Sequence, residues 1–213
     1  MFFKNFSVLA AFATGTALAA NQTGPYHLHI TGKTDKSIDG YGASYHAGAA
    51  IEALVYVAGA ATGRAQNYYY DYSGYNPATG EVFQPGSIVY QLQLGSGNET
   101  TFVPEALTLE TGGNYASNVQ PAMFYPGTNT ATYVSFHDEG KDANHTVYLT
   151  GRDDSKYTST RPEQGPDFVN VDNWHLCWQY VGGAYWYETV SWVYALPPHN
   201  PTCRPVNLAL ELV

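Results

Sequence analysis

The sequence predicts an all-β protein, an antiparallel β-sandwich or closed barrel with a β-trefoil as the alternative, and three observations carry that expectation. The 21 glycines and 12 prolines are spread along the whole chain and interrupt almost every window in which a helix would need unbroken periodicity. Between these turn residues lie short runs rich in Tyr, Val, Thr and Trp, the composition of strands. Aromatic residues make up 15% of the chain, 19 of them tyrosine, and strands accommodate such rings better than helices do. No fixed internal period is visible, which weighs against a threefold trefoil.

Taken in order, the chain opens with MFFKNFSVLAAFATGTALA, a lysine ahead of an apolar run that finishes on the small-x-small triplet Ala17, Leu18, Ala19. This has the form of a secretory signal peptide over residues 1–19, leaving residues 20–213 as a single secreted domain. Its apolar core is shorter than the roughly 20 residues a membrane-spanning helix needs. Expected strands follow at PYHLHIT, EALVYVA, NYYYDY, IVYQLQL, ALTLE, AMFY, ATYVSF, TVYLT, WHLCWQYV, AYWYETVSWVYA and VNLALELV. The stretch HAGAAIEALVYVAGAA reads either as a short helix, from its alanines, or as a strand leading into a small-residue loop. Residues 151–166, GRDDSKYTSTRPEQGP, lack apolar periodicity and are expected to form a surface loop.

Aromatic residues concentrate in two places. In NYYYDYSGY, alternation along a strand puts Tyr68, Tyr70 and Tyr72 on one face and Tyr69 and Asp71 on the other. Such rings either pack inside with the hydroxyl kept wet, or form a rigid recognition surface on which sugar faces stack. In the second cluster Trp174, Leu176 and Trp178 share a face, and Gly182-Gly183 is a strong hairpin signal joining this strand to the next. The residues expected to contribute to a ligand-binding surface are Tyr68, Tyr70, Tyr72, Tyr75, Trp186 and Trp192.

Two cysteines, Cys177 and Cys203, are expected to oxidise to one disulfide in an exported chain, stabilising the fold by roughly 3 kcal/mol through the unfolded state. Acceptor triplets for N-glycans begin at Asn21, Asn98 and Asn144, while Asn200 is followed by proline and excluded. The formal charge of −9 becomes more negative once Lys4 leaves with the leader. So acidic a surface repels phosphate backbones and anionic lipid, which excludes nucleic acid and membranes as natural partners. Seven histidines include one close pair, His27 and His29, on one face of a strand but with no visible third ligand, so no metal is expected. Asp35 with Asp39, Asp138-Glu139 and Asp153-Asp154 read as solvated loop acids. Glu188 is the least ordinary acid, embedded in YWYETVSW, and pairing with Arg204 or a tyrosine hydroxyl would account for it. No nucleophile elbow, phosphate loop or dinucleotide fingerprint is present, so no catalytic residues and no cofactor are expected.

The segments GYGASYHAGAA and WHLCWQYVGGAYWYETVSWVYALPPHNPTCRPVNLALELV resemble small secreted proteins of filamentous fungi related to the phialide-development cell wall protein family. His46 and Gly48 match the early motif of that group, and Trp174, Cys177 and Cys203 match the late one. Ala49 and Ala50 after Gly48, and the long tyrosine-rich insert, depart from it. The resemblance implies an extracellular or cell wall location, one disulfide near the C-terminus and no catalysis. The expectation from sequence is a secreted, monomeric, non-enzymatic protein, effector-like or allergen-like, meeting cell wall polysaccharide or a host extracellular component. The alternatives are a carbohydrate-binding module using exposed Tyr and Trp, and a secreted hydrolase with unassigned carboxylates.

Overall fold

The computed structural model describes residues 22–59, 65–72, 85–95, 99–109, 116–127, 129–136, 145–158, 165 and 167–213. The segment expected to be a signal peptide, Tyr75 and the expected glycan acceptors Asn21, Asn98 and Asn144 lie outside the described residues. Thirteen strands are found among them, and no helix. They are β1 (Gln22–Gly32), β2 (Asp39–Gly48), β3 (Ile51–Ala58), β4 (Tyr68–Asp71), β5 (Ser87–Leu94), β6 (Thr101–Leu109) and β7 (Val119–Pro126). There follow β8 (Ser135–Phe136), β9 (His145–Asp153), β10 (Asp167–Val171), β11 (Trp174–Val181), β12 (Tyr185–Val193) and β13 (Arg204–Leu212).

The sheet closes on itself. Passing from β1 through β4, β5, β6, β7, β3, β12, β11 and β13 returns to β1, a ring of nine antiparallel strands. Strand β2 sits within it, pairing with β1 over His29–Thr31 and with β3 along most of its length. Strand β9 extends the sheet from β13, with β10 and β8 paired to β9. Of the architectures open from sequence, the closed barrel is the one formed. Closure satisfies the backbone donors and acceptors that an open sheet would leave along its edges.

Strict alternation builds the interior. On β1, Tyr26, Leu28 and Ile30 point inward, and on β13, Val206, Leu208 and Leu210 do so, with Leu28 opposite Leu210 and Ile30 opposite Leu208. These residues join Leu54, Ile88, Leu107, Phe124, Trp174 and Leu176 in the main core. Each such side chain is worth about 1.5–3 kcal/mol of burial. Trp174 and Trp192 meet edge to face at 5.0 Å, and the indole of Trp174 donates to the Val147 carbonyl at 2.8 Å, so its polar atom is satisfied inside.

Two strands escape a reading of the sequence. Strand β2 carries three glycines and little apolar alternation, yet pairs with β3 because Gly40 and Gly42 let Tyr56 and Leu54 come so close that a Cβ would collide with them. Of the stretch HAGAAIEALVYVAGAA, open between helix and strand, residues 46–58 are the end of β2, the turn at Ala49–Ala50 and the whole of β3, while Ala60 and Ala61 lie outside the described residues. Strand β9 runs to Asp153, into the segment expected to be loop, and β10 begins at Asp167, just beyond it. Of ATYVSF only Ser135–Phe136 is strand, with Val134 making an isolated bridge to Gly86.

Cys177 and Cys203 form the expected disulfide, spanning a sequence separation of 26 and tying β11 to the turn that precedes β13.

Candidate functional site

The hairpin of β11 and β12 is in register over its whole length, with Trp174 opposite Trp192, Trp178 opposite Glu188 and Tyr180 opposite Trp186. Gly182 and Gly183 both adopt positive φ in the turn, as a tight hairpin demands. One face of this hairpin changes character along its length. Trp174, Leu176, Val190 and Trp192 are buried in the barrel core, while Trp178, Tyr180 and Trp186, beyond them on the same face, are 51%, 54% and 66% exposed.

The opposite face explains why the hairpin projects. Val181, Tyr185 and Tyr187 pack on Ala47, Ala53, Val55 and Met123, so the hairpin tip leans on the β2–β3 turn and lifts its other face into solvent. Tyr185 and Tyr187 stack within 5.8 Å, and the Tyr187 hydroxyl donates to the His46 carbonyl at 3.0 Å.

Trp178, Tyr180 and Trp186 line an open groove of about 380 Å³ together with Ser117, His199 and Asn200. Its walls are fixed. The Tyr180 and Trp186 ring centroids lie 5.3 Å apart, and the Tyr180 hydroxyl donates to the Gly183 carbonyl. Asn200 donates to the Trp178 carbonyl at 2.9 Å, and the Trp178 amide donates to Thr202 at 3.0 Å, one residue from the disulfide. Asn118 donates to the carbonyls of Ala195 and Pro197 and accepts from the His199 amide at 2.8 Å, holding the loop after β12 against the segment before β7.

The residues expected to bind are placed differently from one another. Trp186 is on this exposed surface. Tyr68, Tyr70 and Trp192 are core residues with 0%, 3% and 6% exposure, so their ring faces are covered by the protein itself. The Tyr68 hydroxyl bonds to Ser44 at 3.1 Å and to Gln66 at 3.3 Å, and the Tyr70 hydroxyl donates to the Val134 carbonyl at 2.9 Å. Tyr72 is partly buried against them. The tyrosine run therefore contributes two interior rings to the barrel wall. Trp178 and Tyr180 were not singled out from sequence. The signal was their shared face with Trp186, but alternation alone does not say where along a strand the core ends.

The acids also sort by position. Glu188 accepts from Arg204 at 2.5 Å, as its aromatic setting suggested, and Arg204 reaches Asp35 at 3.4 Å. Ser37 bonds the Asp35 carboxyl and Ser155 the Asp153 carboxyl, and these bonds hold both pKa values below the usual aspartate range. His29 shares its face with His27, stacks on Tyr41 and pairs with Asp39 at 2.8 Å. Burial, then the hydrogen bond to Glu211, pushes the Tyr41 hydroxyl up to about 12. Among the described residues no group of three or more His, Cys, Asp or Glu side chains is arranged to hold a metal ion.

Two acids that sequence reading passed over lie inside the barrel. Glu105 is fully buried, neither of its carboxyl oxygens has a hydrogen-bond partner, and Glu52 is 7% exposed. The ladder pairs Glu52 with Phe124 and Phe124 with Leu107, and Glu105 lies two residues along β6 on the same inward face. Burial, with a smaller contribution from the charge of Glu52, raises the Glu105 pKa from 4.5 to about 7. Burial also raises that of Glu52, against the opposing charge of His46 across the hairpin.

A family model described as a domain of unknown function (DUF7907) matches residues 23–212, which takes in all of β1 to β13 except Gln22. No curated protein and no solved structure was found to match the chain.

Proposed function

We propose that the chain, which belongs to the DUF7907 family, is an exported, non-enzymatic protein that binds polysaccharide at a fungal cell wall or a host surface through Trp178, Tyr180 and Trp186. The observation that carries this reading is the row of three large rings left more than half exposed on a rigid hairpin, while Trp174 and Trp192 on the same face are buried. Exposed apolar area of this kind, bordered by polar groups, marks an interaction surface. A pyranose presents an apolar C–H face that stacks on such rings and a rim of hydroxyls, for which Ser117, His199 and Asn200 offer partners. The disulfide and Asn118 hold both walls of the groove, so little ordering entropy is lost on binding.

Other observations agree. A disulfide forms in an oxidising export route, as the leader-like N-terminus requires. The resemblance to fungal cell wall proteins of the phialide-development group supplies the location.

The test is a pull-down on insoluble wall polysaccharides with a glycan array for specificity. Wild-type protein is expected to be retained, and Trp186→Ala or Trp178→Ala to weaken binding about tenfold, as loss of an aromatic anchor does. Retention equal in both variants, absence of binding across the whole panel, or release of new reducing ends from the polysaccharide would each refute the reading.

A further inference from the structure

Gln179 lines the groove beside Trp178 and Tyr180, and a buried chain of hydrogen bonds decides which end of its amide faces a ligand. A carbonyl oxygen only accepts, so the Thr189 hydroxyl donates to the Cys177 carbonyl at 3.3 Å. The Ser191 hydroxyl directs its proton to Thr189, either to the hydroxyl oxygen at 2.9 Å or to the carbonyl at 3.4 Å. Ser191 then has a lone pair to offer, and the Gln179 amide nitrogen donates to it at 2.7 Å. Thr189 and Ser191 are both 0% exposed, so bulk water does not compete for these directions. The Gln179 carbonyl is the end left over, an acceptor at the groove wall.

The other polar groups of the groove are held in the same way. His199 Nδ1 lies 3.2 Å from the Ala116 carbonyl and carries its proton there, which leaves Nε2 of the neutral ring as an acceptor. Asn200 Oδ1 accepts from the amide and the hydroxyl of Thr202, while its nitrogen places one N–H on the Trp178 carbonyl and keeps the other. Ser117 Oγ accepts from the Val119 amide at 3.1 Å and keeps its O–H to donate. Two neutral acceptors and two donors therefore stand beside the rings, with apolar surface from Ala116 and Val119 between them.

A ring hydroxyl donates or accepts as it turns and suits any of these positions. An acetamido substituent has no such freedom: its N–H needs an acceptor, its carbonyl a donor and its methyl an apolar wall. An ammonium in its place, once stripped of water, needs a charged partner, which a neutral amide or imidazole is not. The groove, at about 380 Å³, is at the small end for a ligand site and suits a short stretch of sugar. We propose, resting on the polysaccharide reading above, that this groove selects a sugar bearing an acetamido group, whose N–H is accepted by the Gln179 carbonyl and whose own carbonyl is met by Ser117 or Asn200. Ser191 is a positioning residue, acting through Gln179.

The experiment is titration of the protein's tryptophan fluorescence with the tetraoses of N-acetylglucosamine, glucosamine and glucose, and with an asparagine-linked glycan core that carries N-acetylglucosamine. The N-acetylglucosamine tetraose is expected to bind roughly tenfold more tightly than the glucose tetraose, the effect of one or two neutral hydrogen bonds. Gln179→Met keeps the length of the side chain without its acceptor and should bring the two affinities within about twofold of each other. Ser191→Ala, which frees the amide to turn, should do the same, and circular dichroism verifies that both variants fold. A merely structural role for Ser191 would lower both affinities together and leave their ratio as it is in the wild type. Binding of the glycan core beside the tetraose supports recognition of the acetamido group on either source, and binding of the tetraose alone supports it on a homopolymer. Equal affinity for the glucose tetraose, tighter binding of the glucosamine tetraose, or an unchanged preference in the two variants would overturn the proposal and leave the polysaccharide reading in place. Binding of none of these sugars would remove that reading and this proposal with it.

Discussion

Glu105 shows how a single residue couples this fold to pH. Its carboxyl is fully covered, so the native state holds its proton up to about pH 7, whereas the unfolded chain releases it near 4.5. Stability is therefore fully present below the unfolded value and falls as pH rises through the native one, because over that range the folded protein binds more protons than the unfolded chain. The loss is about 3 kcal/mol, at roughly 1.4 kcal/mol for each tenfold change in proton affinity. His175 works in the opposite direction, since burial holds its pKa below 6.5 and stability falls as it is forced to charge at acid pH. Comparison of wild type with Glu105→Gln isolates the first effect. Urea unfolding at about pH 5 and about pH 8 should show the variant gaining on the wild type by a few kcal/mol at the higher pH. An identical pH dependence in both proteins would show that Glu105 has a partner at neutral pH. Tyr68 makes the complementary point: a residue that looks like a surface anchor in NYYYDYSGY is, at 0% exposure, a pillar of the interior.

At the scale of elements, the β11–β12 hairpin supports the groove, and two predictions concern what holds it. Gly182 and Gly183 both have positive φ, yet their surroundings differ: a Cβ on Gly182 would collide with the Ala47 carbonyl, whereas nothing lies within 4 Å of one on Gly183. Gly183→Ala should cost only the left-handed backbone term, about 1–2 kcal/mol. Gly182→Ala adds displacement of the β2–β3 turn, so thermal unfolding should place it clearly below the Gly183 variant, with polysaccharide binding impaired as well. Equal melting temperatures would mean that the hairpin tip does not rest on Ala47. The second support is the disulfide. Replacing Cys177 and Cys203 together by alanine should destabilise the protein by roughly 3 kcal/mol, and should loosen Asn200 and Thr202 from Trp178, weakening binding even where the fold persists. Affinity unchanged in the folded double variant would show that the groove wall is held by hydrogen bonds alone.

For the whole molecule, much was legible in the chain before any coordinates. Gly and Pro punctuation and β-rich runs specified strands at most of the correct positions, alternation grouped Tyr68 with Tyr70 on one face of β4 and Trp174 with Leu176 on one face of β11, and the glycine pair between β11 and β12 located a hairpin that forms in register. These are local properties, set by φ/ψ preference and by the two-residue period of a strand. Strand β2 stayed hidden because its glycines serve a close approach to β3 and carry no apolar signal of their own. The choice of barrel over sandwich rests on pairings such as β1 with β13 and β3 with β7, between segments far apart in sequence. The candidate sites depend on the same long-range closure. Trp174 and Trp178 lie on one face of one strand, and only the position of the barrel end makes the first a core residue and the second an exposed one. Glu52 and Glu105 are unremarkable acids until β7 brings β3 and β6 together around Phe124. The sequence by itself determined strand content, turn positions, the cysteine pair and the acidic surface, because each follows from residues near one another or from composition. Which rings meet solvent and which acids meet each other was decided by tertiary structure, because burial is a property of the closed ring and of no single strand.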